Sequence, residues 1–194
     1  MKKRFLTTIY QQEQTVFTTA ELSLLFPALS SASLSSRLRY FADTQGLLKL
    51  RRGVYAKLKY AEWELANKLY SPSYISFSTI LFKYGVIFQL DSRVYLASYL
   101  TRDIEIKSHT FIYRKLKESI LHNTAGLEER NNIWMATPER AFLDSLYLFG
   151  DIFFDNLLPL DWDKVFKLQD IYQSQVIKKR VASQYRVFKE DYHD

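Results

Sequence analysis

Apolar residues recur at helical spacing three times within the first 45 residues of the chain. Each recurrence places its apolar side chains along one face, which is the pattern of an amphipathic helix. In the third recurrence Leu34, Leu38 and Phe41 form the apolar stripe, and Gly46 follows where a left-handed residue commonly ends a helix. The pattern therefore predicts three helices, over residues 3–13, 19–26 and 30–45.

The second of these helices carries its own start and stop signals. Thr18 and Glu21 have the spacing of a capping box, in which each side chain accepts a hydrogen bond from the backbone N–H of the other residue. Pro27 ends the helix, because a proline disfavours helical backbone at the residue before it. We therefore expect this helix to begin at Thr19 and to end near Phe26.

Two short runs of β-forming residues follow Gly46 and predict a hairpin. Residues 47–51 and 54–57 form the strands, and Arg52 and Gly53 separate them. We expect Gly53 to adopt positive φ in the turn. The order helix, helix, turn, helix, hairpin predicts a winged helix-turn-helix, a fold that lays its third helix in the major groove of DNA.

The remainder of the chain predicts a second domain of mixed composition. A connector helix over residues 60–69 leads to Ser71-Pro72-Ser73, a turn-forming run that marks a boundary between residues 1–70 and residues 71–194. Strands are predicted over residues 93–99, 104–107, 110–113 and 132–136, and helices over residues 76–84, 138–149, 162–172 and 174–189. The predicted fold class is α+β: an N-terminal winged helix-turn-helix followed by a mixed α/β domain with a small sheet and C-terminal helices.

The positive charge of the chain is concentrated in the first of these two parts. Residues 1–70 contain eleven Lys and Arg residues against five Asp and Glu residues, whereas residues 71–194 contain sixteen of each. The whole net charge of +6 therefore belongs to the predicted winged helix-turn-helix. A basic module joined to a neutral one indicates a polyanionic partner for the first part.

The third helix and the hairpin supply the residue types that contact DNA. Hydroxyl side chains on the outward arc of the helix allow close approach to the groove, and arginine contacts guanine or phosphate. Hairpin cations at this position contact the phosphate backbone and make binding sensitive to salt. The predicted DNA-binding residues are Ser33, Ser36, Arg37, Arg39 and Tyr40 on the helix, and Lys49, Arg51 and Arg52 on the hairpin.

Several stretches resemble the AbiEi family of bacterial antitoxins. Residues 17–22 and 47–56 resemble its N-terminal wing module, residues 71–76 resemble the start of its second domain, and residues 135–144 resemble its late signature. The resemblance implies a transcriptional repressor of its own operon. Such a repressor often binds DNA repeats cooperatively and is encoded beside a nucleotidyltransferase-like toxin. It also implies a type IV antitoxin that neutralises the toxin without a stable complex, or a plain regulator outside such a pair.

Other chemistry has little support in the sequence. The chain contains no cysteine, its five glycines stand singly, and its histidines, His109, His122 and His193, are not paired at metal-ligand spacing. We therefore expect no cofactor, no metal and no enzymatic activity. The N-terminus lacks the apolar region of a signal peptide, and no run is long enough to span a membrane, so we expect a cytoplasmic protein without a membrane partner.

Two alternatives stay open at this point. The first is a protein-interaction module whose wing has lost DNA binding. The second is a metal-dependent nuclease, because Asp91 followed by Glu105 and Lys107 fits an acid, acid-x-lysine pattern that can hold a divalent ion and activate water. The nuclease interpretation requires Asp91 and Glu105 to converge in one cleft with Lys107.

Overall fold

The computed structural model describes residues 2–150 and 152–192, and within these residues the protein is a mixed α+β structure with two sheets. This confirms the predicted α+β class. The first part of the chain contains α1 (Lys2–Gln11), β1 (Val16–Thr18), α2 (Thr19–Leu25), α3 (Ser31–Asp43), β2 (Leu48–Arg51), β3 (Val54–Ala56) and α4 (Glu62–Leu69).

A three-stranded antiparallel sheet with strand order β1-β3-β2 accompanies the first three helices. The hairpin of β2 and β3 was predicted, but β1 was not, because its pairing partner β3 lies almost 40 residues further along the chain. Beneath the sheet and helices lies a compact apolar core. Its buried members are Phe5, Ile9, Phe17, Leu22, Leu34, Leu38, Phe41, Leu47 and Tyr55.

The local signals at α2 and in the hairpin act as predicted. The Thr18 side chain accepts a hydrogen bond from the Glu21 backbone N–H at 3.2 Å, and the Glu21 carboxylate accepts one from the Thr18 backbone N–H at 2.7 Å. The capping box is therefore complete. Gly53 has φ of 79°, which confirms the expected positive φ in the hairpin turn.

The end of α3 differs from the prediction. Gln45, not Gly46, takes the left-handed conformation, with φ of 57°. Gly46 is required for space instead, because a Cβ at that position would lie 3.0 Å from the Phe41 ring and 3.2 Å from Leu6. The backbone N–H groups of Gly46 and Leu47 both donate to the Phe41 carbonyl, which closes the helix.

A six-stranded mixed sheet dominates the second part of the chain. The elements are β4 (Ser73–Ile75), α5 (Phe77–Lys83), β5 (Val94–Ser98), β6 (Arg102–Ile106), β7 (His109–Lys115), α6 (Glu118–Leu121), β8 (Leu127–Arg130), β9 (Ile133–Ala136), α7 (Pro138–Phe149), α8 (Trp162–Leu168), a 3-10 turn (Gln169–Tyr172) and α9 (Gln175–Tyr192). The strand order is β6-β7-β5-β4-β9-β8. The sheet is larger than the small sheet that was predicted, since the short strands β4 and β8 gave no clear sequence signal.

Helix α4 joins the two sheets. It packs against β1 of the first sheet and against β4, β5 and β9 of the second. Val16, Val54 and Ala56 from the first sheet belong to the same large apolar core as the residues of the second part. The hairpin strand β2 also packs Leu48 and Leu50 against this core. The boundary predicted after residue 70 stays a prediction, and apolar packing is continuous across it.

Among residues 2–150 and 152–192, no helix combines the length and the apolar composition needed to cross a bilayer. His193, one of the three histidines considered above, lies outside the described residues.

Candidate nucleic-acid interface

Helix α3 separates its residues into a buried face and an exposed face. Leu34 and Leu38 are fully buried in the first core. Ser36, Arg39 and Tyr40 are exposed, and 43% of the Tyr40 surface remains accessible. The Tyr40 ring packs edge-on against the neighbouring Phe41 ring at a centroid distance of 5.2 Å, which restricts its orientation. These three predicted residues therefore share the solvent-facing side of the helix.

The first turn of α3 gives Ser33 a structural contact in addition to its exposure. The Ser30 side chain caps the helix by accepting a hydrogen bond from the Ser33 backbone N–H at 3.3 Å. The Ser30 hydroxyl in turn donates to the Ser33 hydroxyl oxygen at 3.0 Å. Ser33 is exposed, and its own hydroxyl proton stays free of this bond.

Arg37 occupies the flank of α3, as predicted, and is half-buried. Its guanidinium carbon lies 5.8 Å from the centroid of the Phe5 ring in α1, which is a cation–π contact. Arg37 therefore leans towards α1, whereas Arg39 extends towards solvent.

The hairpin presents its three predicted cations on its outer surface. Lys49 and Arg51 alternate with Leu48 and Leu50 along β2, so the leucines pack inward and the cations face solvent. Arg52 is exposed at the turn.

The hairpin turn is fixed directly to the start of α2. The Thr19 backbone N–H donates to the Gly53 carbonyl at 2.8 Å, and the Thr19 hydroxyl donates to the same oxygen at 3.2 Å. Because the turn and α2 are joined in this way, the hairpin cations are held in a defined position relative to the helices.

Arg51 makes a contact that the sequence did not predict. Its guanidinium carbon lies 5.2 Å from the centroid of the Tyr70 ring, and that of Arg102 in β6 lies 5.9 Å from the same centroid. An Arg102 N–H also donates to the Tyr70 hydroxyl at 3.0 Å. Burial disfavours the ionised hydroxyl, but hydrogen bonds and positive charge from Arg102 and Arg51 outweigh it and lower the pKa of Tyr70.

The cations of this surface are not neutralised by neighbouring acids. Among the ion pairs of the described residues, none includes Arg39 or any of the three hairpin cations. Lys68 provides the contrast, since it pairs with both Glu21 and Glu64. The hairpin therefore carries three cations outside these ion pairs, which attract a polyanion, whereas on α3 the exposed Asp43 lies one turn beyond Arg39.

Asp91, the first residue of the nuclease pattern, interacts with neighbouring side chains of its own segment. The Asp91 carboxylate forms a bidentate ion pair with the Arg93 guanidinium and accepts a hydrogen bond from the Tyr95 hydroxyl at 2.8 Å. The Arg93 hydrogen bonds outweigh partial burial and lower the pKa of Asp91 to about 2. Glu105 and Lys107 are exposed, and the described residues include no group of three acidic or histidine side chains placed to hold a metal ion.

Arg140 and Asp144 in α7 form a buried polar network. Arg140 is fully buried, and its Nε lies 3.4 Å from Asp144. The remaining Arg140 donors reach the Tyr74 hydroxyl and the backbone carbonyls of residues 120, 123 and 125. Asp144 accepts hydrogen bonds from the hydroxyls of Ser76, Tyr74 and Tyr172.

This network is structural in its chemistry. Every polar atom in it has a partner inside the protein, so no donor or acceptor is left to face a ligand. Burial raises the pKa of the Asp144 carboxyl, although Arg140 and the three hydroxyl donors lower it in part. The network ties α7 to β4, to the segment after α6 and to the 3-10 turn.

Comparison of the chain with protein-family models and with curated proteins finds no match.

Proposed function

We propose that this protein is a sequence-specific DNA-binding repressor of its own operon. Its first part, α1 to β3, is interpreted as a winged helix-turn-helix with α3 as the recognition helix and the β2–β3 hairpin as the wing. The element order and the pairing of β1 with the hairpin support this interpretation. Such a regulator acts in the cytoplasm on operator DNA.

The observation that carries the proposal is the division of α3 into two faces. Leu34 and Leu38 anchor the helix in the core, whereas Ser36, Arg39 and Tyr40 face solvent, and Arg39 takes part in no ion pair among the described residues. Arginine and hydroxyl side chains read base edges in the major groove, and a bidentate contact from arginine to guanine contributes about 1–3 kcal/mol of discrimination. The hairpin cations then supply phosphate contacts beside the groove.

The antitoxin role is proposed on the motif resemblance alone. In that proposal the protein is the antitoxin of a type IV system and is encoded beside a nucleotidyltransferase-like toxin with which it forms no stable complex. Two copies on adjacent repeats would provide the affinity that a single winged helix lacks, so self-association on DNA belongs to the same proposal.

The test is a gel-shift titration against the DNA directly upstream of the protein's own gene, with a shuffled duplex of equal length as control. Arg39→Ala is expected to lose about 1–3 kcal/mol of preference for the upstream duplex, because it removes a base contact. Arg51→Ala/Arg52→Ala is expected to weaken binding to both duplexes and to reduce the salt slope by about 1.8, since each phosphate contact contributes about 0.9.

Arg186→Ala is the matched control variant, because Arg186 is an exposed arginine on α9, a helix that packs against α7, α8 and the 3-10 turn. It should bind like the wild type. Absence of binding by the wild type at low salt would contradict the proposed function and favour a protein-interaction module. Cleavage of the duplex on addition of magnesium would favour the nuclease instead.

A further inference from the structure

Three side chains from distant parts of the chain meet where the hairpin touches the second sheet. Arg51 comes from the hairpin, Tyr70 from the end of α4, and Arg102 from the first residue of β6. Both guanidinium carbons lie within 6 Å of the same ring centroid. The ring is itself held by an edge-on contact with the buried Tyr113 ring at 4.9 Å. Two cations are therefore gathered on one immobilised aromatic side chain.

The two cations have no acid to balance them. Neither Arg51 nor Arg102 takes part in an ion pair among the described residues, and both are exposed. Like charges gathered on one ring repel one another, and the negative face of the ring offsets that repulsion only in part. An anion that contacts both guanidinium groups would remove the repulsion, and both arginines are exposed enough to be reached from solvent.

The position of the cluster relates it to the proposed DNA surface. Arg51 lies on the hairpin beside Arg52, and β6 is an edge strand of the second sheet, so Arg102 continues the hairpin's positive surface onto the second part of the chain. A phosphate group that contacts Arg51 would therefore also have Arg102 nearby, because both guanidinium groups contact the Tyr70 ring.

We propose that Arg51 and Arg102, oriented by Tyr70, form one phosphate-binding site through which the DNA backbone also contacts the second part of the protein. This inference rests on the proposed DNA-binding function, and it adds a phosphate contact outside the winged helix-turn-helix. Arg102 thereby acts as a DNA-binding residue and Tyr70 as its positioning residue.

A different role for Arg102 predicts different behaviour. Charged side chains on edge strands prevent pairing with other chains, and a cation there needs no ligand. In that case Arg102 would affect solubility or stability but not the salt dependence of DNA binding.

The test measures fluorescence anisotropy of a labelled duplex from the upstream region at several salt concentrations between 50 and 200 mM, the range over which phosphate contacts are most visible. Arg102→Ala and Arg102→Gln are compared with Arg186→Ala, which removes the same charge from α9. Arg102→Gln keeps a hydrogen-bond donor for Tyr70, so it serves if Arg102→Ala is poorly folded. Thermal melting of each variant reports on folding independently.

We expect both Arg102 variants to reduce the salt slope, by less than about 0.9 because Arg51 still contacts the shared phosphate, and Arg186→Ala to leave the slope unchanged. Arg51→Ala/Arg102→Ala should weaken binding by less than the product of the two single effects, because the two residues share one phosphate. Tyr70→Phe should weaken binding less than Arg102→Ala does, while the melting temperature stays close to that of the wild type.

The two proposals fail in different ways. If the wild type binds the duplex, Arg51→Ala/Arg52→Ala weakens it, and both Arg102 variants match the wild type in slope, then the Arg102 site is wrong and the winged helix-turn-helix is retained. Strictly multiplicative effects of Arg51→Ala and Arg102→Ala would overturn the shared site. If the wild type binds no duplex at low salt, both proposals fail together.

Discussion

Arg39 on α3 and Arg140 on α7 are the same residue type in opposite environments, one exposed and one buried. Arg140 is fully buried, and its donors are consumed by Asp144, Tyr74 and three backbone carbonyls. Arg39 is exposed and takes part in no ion pair among the described residues. The difference teaches that the number of arginines does not identify a binding surface. What identifies it is the number of guanidinium donors that the fold leaves unused.

The same contrast separates the two parts of the chain. Residues 71–194 have equal numbers of acidic and basic residues, and several of their cations are paired, as Arg93 is with Asp91 and Arg114 with Asp103. Residues 1–70 hold the whole excess of positive charge, and no ion pair within the described part of the chain includes a hairpin cation. Among the described residues, ion pairs include six Lys and Arg side chains of the second part but only Lys68 of the first, so a larger share of the first part's positive charge stays available to a polyanion.

Removing the buried arginine should have the largest effect. Arg140→Ala leaves Asp144 as an uncompensated buried charge, and breaking a buried pair in this way costs about 3–5 kcal/mol of stability. Urea denaturation of the variant and of Arg39→Ala measures the difference, and Arg39→Ala should stay within about 0.5 kcal/mol of the wild type. If Arg140→Ala loses less than about 1 kcal/mol of stability, the network contributes little to the stability of the fold. Arg140 and Arg39 would then not differ in the way described.

The exposed cations should affect stability only when DNA is present. A ligand at one hundred times its dissociation constant adds about 2.7 kcal/mol to the stability of the native state. The upstream duplex should therefore raise the melting temperature of the wild type and of Arg186→Ala. It should raise that of Arg51→Ala/Arg52→Ala much less at the same DNA concentration. Equal shifts in all three proteins would contradict a role for the hairpin.

The next test uses the capping box of α2, where the acidic residue Glu21 has its hydrogen-bond partners within the protein. Glu21 receives hydrogen bonds from Thr18 and from Lys68, so its charge is balanced within the fold. Thr18→Ala should cost about 0.5–2 kcal/mol of stability through loss of the helix cap, with no change in the salt slope of DNA binding. Thr8→Ala is the control, because the Thr8 hydroxyl donates within α1 and caps nothing. A changed salt slope in Thr18→Ala would mean that α2 contacts DNA directly.

The smallest effect is expected at the surface pair of Asp91 and Arg93. Because its folded pKa is lowered from 3.8 to about 2, Asp91 stabilises the native state fully above pH 3.8, and this contribution is lost as the pH falls through about 2. Half of the Arg93 side chain is exposed, so solvent screening limits the contribution to about 1 kcal/mol at most. Urea unfolding of the wild type and Asp91→Asn should differ at neutral pH and converge near pH 2. If the two proteins still differ in free energy of unfolding at pH 2, the difference has a cause other than the carboxylate charge.

Features encoded by neighbouring residues were predictable from the sequence. The Thr18–Glu21 capping box, the positive φ of Gly53 and the start of α7 at Thr137 and Pro138 each depend on contacts within a few residues. The outward face of α3 was also predictable, because helical spacing fixes which residues oppose Leu34 and Leu38.

Features that depend on distant partners were not predictable. Strand β1 is defined only by its pairing with β3, and Gly46 is required only because Phe41 and Leu6 close around it. The meeting of Arg51 with Arg102 has no local signal, since they stand 51 positions apart in the chain, with five helices and strands of unrelated spacing between them. A single sequence contains no pattern that records such a contact.

The continuity of the apolar core has a practical consequence for anyone who dissects this protein. A fragment cut after residue 70 would retain the hairpin and all its cations. It would also leave Val16, Val54 and Ala56, together with the inner side of α4, against water instead of against the second sheet. Such a fragment would be prone to aggregate, and the loss of its activity would report poor solubility and not the absence of DNA recognition.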